Sequence, residues 1–173
     1  NVLWADEGFG VRCIETPHQQ YTFPANVTQM DGGTQGIYLV QHVQAADILI
    51  VFDAIDYGLA GGTLKQIHDA DVPNFMGAKK MSLHQTGFQE VLAMARLLDS
   101  YPEKLVLIGV QPIELEDYGG SLRAAVKAQI QPALFRLRAR GDGNQLDRPS
   151  AFRRKHALLA LDHARDFGPH GPK

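Results

Sequence analysis

Two carboxylates and one imidazole, Glu7, Asp53 and His84, stand at positions where alternating strands and helices would bring them to one rim. Two carboxylate oxygens and one imidazole nitrogen form a borderline-hard donor set suited to a divalent transition metal, with positions left for ligands from elsewhere. An open sphere is what a catalytic or recognition metal needs, whereas a closed tetrahedral one would be structural. Each residue also has an ordinary explanation. An acid in the first turn of a helix, as Glu7 is, commonly answers the helix dipole. An acid closing an apolar strand, as Asp53 does, needs a partner to offset its desolvation, and a single histidine ahead of a helix is often structural. Asp31, beside Gly32-Gly33 where backbone can approach closely, is a candidate second acid for proton transfer; it reads equally as a turn residue bonded to its own backbone.

The elements that must position these residues are legible from periodicity. Asp6 to about Pro17 reads as a first helix with Phe9, Cys13 and Ile14 on one stripe and Pro17 as its stop. A short strand follows over Asn26–Met30, and Thr34 is a credible N-cap for a helix carrying Ile37, Val40 and Val43. The run from Asp47 to Asp53 is β-branched and too short for a helix, so it reads as a strand buried on both faces. Thr63–His68 reads as a short edge strand. Phe88, Val91, Leu92, Ala95 and Leu98 recur at helical spacing between Gln85 and Ser100. Leu105–Val110 is a second buried strand. A last helix from Ser121 carries Leu122, Val126, Ile130, Ala133 and Leu137, with Pro132 kinking it or marking a new start. Strand and helix alternation predicts a three-layer α/β/α fold, a twisted and mainly parallel sheet with helices on both faces. Residues 1–140 form the domain, and residues 141–173 read as a basic, disordered tail.

Composition narrows the classes. The chain has 173 residues and one cysteine, Cys13, which excludes an intramolecular disulfide and fits a reducing compartment. With Val11 and Ile14 as neighbours it reads as a buried small hydrophobe. Residues 1–135 carry 8 Lys/Arg against 15 Asp/Glu, and residues 136–173 carry 9 against 4. An acidic body argues against nucleic acid as a partner, and no stretch approaches the roughly 20 apolar residues of a membrane helix. There is no Gly-x-Ser-x-Gly elbow and no phosphate-cradling glycine loop. Asp117-Tyr118-Gly119-Gly120-Ser121 reads as a plain loop with an N-cap.

The words around the three residues resemble a known family. The segment from Asn1-Val2-Leu3-Trp4 through Ala5-Asp6-Glu7-Gly8 to Phe9-Gly10-Val11-Arg12 is similar to the signature of hydrogenase maturation proteases, in which a Gly-Asn turn leads to an Asp-Glu pair and a Gly-Val-Arg helix start. Asp31-Gly32-Gly33-Thr34, Asp53-Ala54-Ile55-Asp56 and Met81-Ser82-Leu83-His84-Gln85 resemble the second, third and fourth motifs, in order and spacing, and the similarity runs to about residue 138. The first and fourth look closest to the branch serving membrane-bound uptake hydrogenases.

The resemblance implies a monomeric cytoplasmic endopeptidase that removes the C-terminal extension of a nickel–iron hydrogenase large-subunit precursor. It implies that Glu7, Asp53 and His84 bind nickel, and that this nickel arrives already inserted in the precursor. A non-catalytic nickel-sensing chaperone of the same precursor would use the same three residues. The family pattern also opens with a central β-strand and a Gly-x-Gly-Asn turn. Here only Asn1 is present, which reads as a trimmed start.

Overall fold

In the computed structural model the described residues are 3–20, 25–33, 36–76, 83–138 and 156–160. A 3-10 turn, Ala5–Gly8, opens into α1 (Phe9–Gln20), followed by β1 (Val27–Asp31). A second 3-10 turn, Gly36–Leu39, continues as α2 (Val40–Gln44) and leads to β2 (Ile48–Ala54) and β3 (Leu64–His68). Then come α3 (Asp71–Met76), α4 (Leu83–Leu97), β4 (Lys104–Val110), α5 (Ala124–Lys127), α6 (Ile130–Arg138) and β5 (His156–Ala160). The sheet order is β1-β5-β2-β4-β3, parallel except for β3, which pairs antiparallel with β4 at the edge. This is the α/β architecture expected from the alternation.

The two central apolar runs pair residue for residue, from Ile48 opposite Lys104 to Ala54 opposite Val110. Strand alternation then sorts their side chains between two cores. Leu49, Val51, Leu105 and Leu107 pack against α2 and α4, while Phe52, Ala54, Ile108 and Val110 pack against α1, α5 and α6. Burial on both faces is why these strands read as unbroken apolar runs. On α4, Phe88, Val91, Leu92 and Ala95 are buried as the periodicity requires.

Cys13 faces the second core and is buried. Burial pushes its thiol far above the ordinary range, because the thiolate would have to form in an apolar site. The native protein is therefore expected to show no reaction with an aromatic disulfide reagent at pH 8, and one thiol per chain in guanidinium. Rapid native labelling would contradict the packing of α1 on the sheet.

Several expectations are corrected. Pro17 does not stop the first helix; α1 runs on to Gln20, giving up only the one hydrogen bond that proline cannot donate. Ile37 is 55% exposed and Leu98 49% exposed, so neither belongs to the core stripe; Leu98 lies just beyond the end of α4. The last helix is split into α5 and α6, and Pro132 falls in the first turn of α6, where a missing N–H costs nothing. Arg123 rather than Ser121 is the N-cap of α5. The Thr34 cap lies outside the described residues.

The largest correction concerns the tail. His156–Ala160 is neither disordered nor helical. It forms β5, parallel to and between β1 and β2, with Leu158 opposite Gln29 on one side and Ile50 on the other. A segment containing Ala157-Leu158-Leu159-Ala160 satisfies two otherwise open strand edges at once, which a solvated tail would leave unpaired.

Candidate functional site

Topology carries the sequence-predicted residues to one end of the sheet. Because β1 and β2 run parallel, α1 must return from their carboxyl ends to the start of β1. The 3-10 turn holding Glu7 therefore lies at the carboxyl-end rim. Asp31 closes β1, and Asp53 is the next-to-last residue of β2. α4 leads into β4 and packs on the 3-10 turn Gly36–Leu39 that follows β1. His84 is the second residue of α4, inside the helix rather than ahead of it, and its side chain lies outside the described residues. In open parallel sheets this rim is where ligands collect.

Burial distinguishes the two acids from ordinary surface carboxylates. Asp53 is 0% exposed and Glu7 4% exposed, and the turn bearing Glu7 packs on β2. An acid that merely answers a helix dipole has no need to leave water; a buried carboxylate demands compensation, from hydrogen-bond donors or from a cation. One Asp53 oxygen, Oδ1, accepts the Ala54 N–H at 2.8 Å. The other, Oδ2, and Glu7 Oε2 are sealed from solvent. Among the described residues no group of three His, Cys, Asp or Glu side chains could hold an ion by itself. What is described of the donor set is its two acids.

Tyr57 stands beside them. Its burial, and secondarily the charge of Asp53, push the phenol pKa well up, so it stays protonated at neutral pH. The ring occupies space that exists because Gly109, opposite Asp53 in the β2–β4 ladder, has no side chain: a Cβ there would lie 2.1 Å from Tyr57 Oη. Gly109→Ala should displace Tyr57 and cost about 1–3 kcal/mol in denaturant unfolding, as overpacking does. Tyr57→Phe in the same chain should recover part of that loss. An unchanged midpoint for the single variant would mean that the ring is not held over Gly109.

Asp31 is exposed, and its Oδ1 accepts the Gly33 N–H at 2.9 Å, the bond expected of a turn residue. It pairs with Ala160, which pairs with Phe52, so β5 separates it from β2. Two ladder spacings put its backbone about 10 Å from that of β2. Asp31 shares the rim but is not gathered with the buried acids.

Two residues of the site went unseen in the sequence. Asp6 is 0% exposed; its Oδ2 accepts the N–H groups of Ile113 (2.8 Å) and Glu114 (2.9 Å), and its Oδ1 that of Arg123 (2.7 Å). Gln111, 6% exposed at the end of β4, accepts the N–H groups of Tyr57 (2.7 Å) and Leu59 (3.1 Å) through Oε1 and donates from Nε2 to Asp56 Oδ1 (3.0 Å). The Asp6 partners lie 107 to 117 positions away in sequence, beyond any local pattern. The one available signal was the Asp117–Ser121 stretch, read as a plain loop. Its Tyr118 instead forms a β-bridge with Trp4, with the rings 5.0 Å apart edge to face.

Comparison with known proteins points the same way. Residues 11–138 match the family described as hydrogenase maturation protease. The hydrogenase expression/formation protein HupM of Azotobacter chroococcum is 69% identical over 134 residues, which are 78% of this chain and 64% of that protein. The hydrogenase 2 maturation protease of Escherichia coli is 40% identical over 140 residues, 80% of this chain and 84% of that protein. Among solved structures, the hydrogenase maturating endopeptidase HybD from E. coli superposes with a TM-score of 0.77 at 39% identity, covering 82% of this chain and 86% of that one. The chain thus spans slightly less than two thirds of HupM, and more than four fifths of the two E. coli proteins.

Proposed function

From the premise that this chain belongs to the hydrogenase maturation protease family, we propose that it is an endopeptidase that trims the C-terminal extension from the nickel-loaded precursor of a nickel–iron hydrogenase large subunit. The observation that supports this reading is the pair of buried acids, Glu7 and Asp53, at the carboxyl-end rim of the sheet. The nickel is part of the substrate. Glu7, Asp53 and His84 complete the coordination of an ion that the precursor brings, and so place the scissile peptide beside it. Cleavage then waits on metal loading, because the ion orients the scissile peptide at the site.

Bound nickel would polarise the carbonyl or a water molecule. Tyr57 remains a protonated phenol beside Asp53 and can offer its O–H as a hydrogen-bond donor there. Asp31, the candidate second acid, is exposed on the rim but one strand removed from Asp53, so we leave it outside proton transfer at a peptide held beside the ion. The sole cysteine is buried and takes no part, and a single free thiol fits the reducing cytoplasm, where we place the reaction. Among the described residues no helix is long and apolar enough to cross a membrane, and we take the protein to act as a monomer on its precursor.

The test is direct. Purified protein is incubated with its precursor, with and without nickel, and the precursor is weighed by mass spectrometry. Loss of the extension only in the nickel-loaded sample is expected. Binding of the loaded precursor with no loss of mass would instead assign a nickel-sensing chaperone.

A further inference from the structure

Among the described residues four polar side chains are buried: Asp6, Glu7, Asp53 and Gln111. Two are the acids assigned above to the ion. We infer that the other two, Asp6 and Gln111, are positioning residues that tie the segment 111–123 across the rim and thereby set the spacing of Glu7 and Asp53. The inference rests on the reading of Glu7 and Asp53 as metal ligands.

The geometry is that of a brace with two ends. At one end Asp6, next in chain to Glu7, accepts three N–H groups from the segment, and its own N–H donates to Glu114 O at 3.1 Å. Gly119 N–H to Leu3 O at 2.7 Å and the Trp4–Tyr118 bridge extend the same seam. At the other end Gln111 fastens the turn that follows Asp53 through the N–H groups of Tyr57 and Leu59 and the carboxylate of Asp56. One covalent stretch of chain is therefore tied both to the residue beside Glu7 and to the turn just after Asp53.

A 3-10 turn of four residues cannot hold a buried carboxylate in place by its own hydrogen bonds. Long-range ties to backbone N–H groups can, because each is a charge-assisted bond in a site closed to water. The adjacent acids Asp6 and Glu7 thus divide the work: Asp6 faces the brace, and Glu7 is the acid assigned to the ion. Supporting groups of this kind govern ligand geometry as the outer partners of metal ligands do.

The experiment titrates the full-length protein with cobalt(II) chloride and follows the ligand-field absorption. It compares wild type, Asp6→Asn, Glu7→Gln and Val43→Ala. Glu7→Gln keeps any tail histidines and sets the background. Val43→Ala, buried on α2 away from the rim, supplies a comparable loss of thermal stability. Asp6→Asn places an amide NH₂ against backbone donors while keeping the shape. It is expected to weaken cobalt binding about tenfold or more and to alter the band shape, while Val43→Ala binds as wild type does. Wild-type binding by Asp6→Asn alongside loss in Glu7→Gln would overturn the brace alone. Equal binding by wild type, Glu7→Gln and Asp6→Asn would overturn the ligand assignment itself. Should Asp6→Asn fail to fold, Gln111→Met, which keeps bulk but neither donates to Asp56 nor accepts from Tyr57, is expected to show the same weakening, and wild-type binding there would overturn the brace.

Discussion

Replacing His84 with alanine is expected to reduce processing of the nickel-loaded precursor by roughly 10²-fold or more, since even the outer partners of a metal ligand are worth 10–100-fold. The fold should survive, because His84 sits in the first turn of α4 and the core contacts of that helix come later, at Phe88, Val91, Leu92 and Ala95. Far-ultraviolet circular dichroism and a melting curve separate lost chemistry from lost structure. Asp53→Asn should give an equal kinetic loss with a melting temperature no lower than wild type. It removes a buried charge that, without the ion, has to be held against its own desolvation, and functional sites commonly carry that kind of instability. Full activity in the His84 variant would remove the imidazole from the site. A strongly destabilised Asp53→Asn would instead make Asp53 a structural anchor.

A large loss of stability is expected from deleting residues 141–173. Without β5, β1 and β2 face each other across two ladder spacings, about 10 Å, which no hydrogen bond spans. Both edges would be unpaired in the middle of the sheet, a situation native sheets avoid. The truncated chain should lose cooperative unfolding and aggregate. Leu158→Pro tests the same point within the full chain. Residue 158 is flanked by strands on both sides, so proline deletes a ladder bond and forces the central strand apart, costing about 3 kcal/mol or more. A truncated protein that melted cooperatively and still cleaved its precursor would show that β5 is dispensable.

In the two central strands and along α4 from Phe88 to Ala95, sequence and structure agree. The strands β2 and β4 were legible because burial on both faces leaves an uninterrupted apolar run. Helix α4 was legible because one buried face imposes its spacing on Phe88, Val91, Leu92 and Ala95. The rim residues were legible as a set for a related reason. In a parallel sheet the acid that ends a strand and the residue that starts a crossover helix are sent to the same side by chain direction alone. Asp31 shows where that logic stops: chain direction places it on the rim, and strand order separates it from Asp53 by one strand.

The sequence by itself determined the α/β class, the two apolar strands at the core and the burial of Cys13. All of these follow from composition or from repeats shorter than a helix. The tertiary structure alone decided that His156–Ala160 fills the sheet between β1 and β2, and that Asp6 and Gln111 are buried against backbone N–H groups far away in the chain. The reason is physical: a backbone hydrogen bond selects no side-chain type, so a strand slot or a carboxylate bound to N–H groups more than a hundred residues away leaves no signature in the residues that supply it.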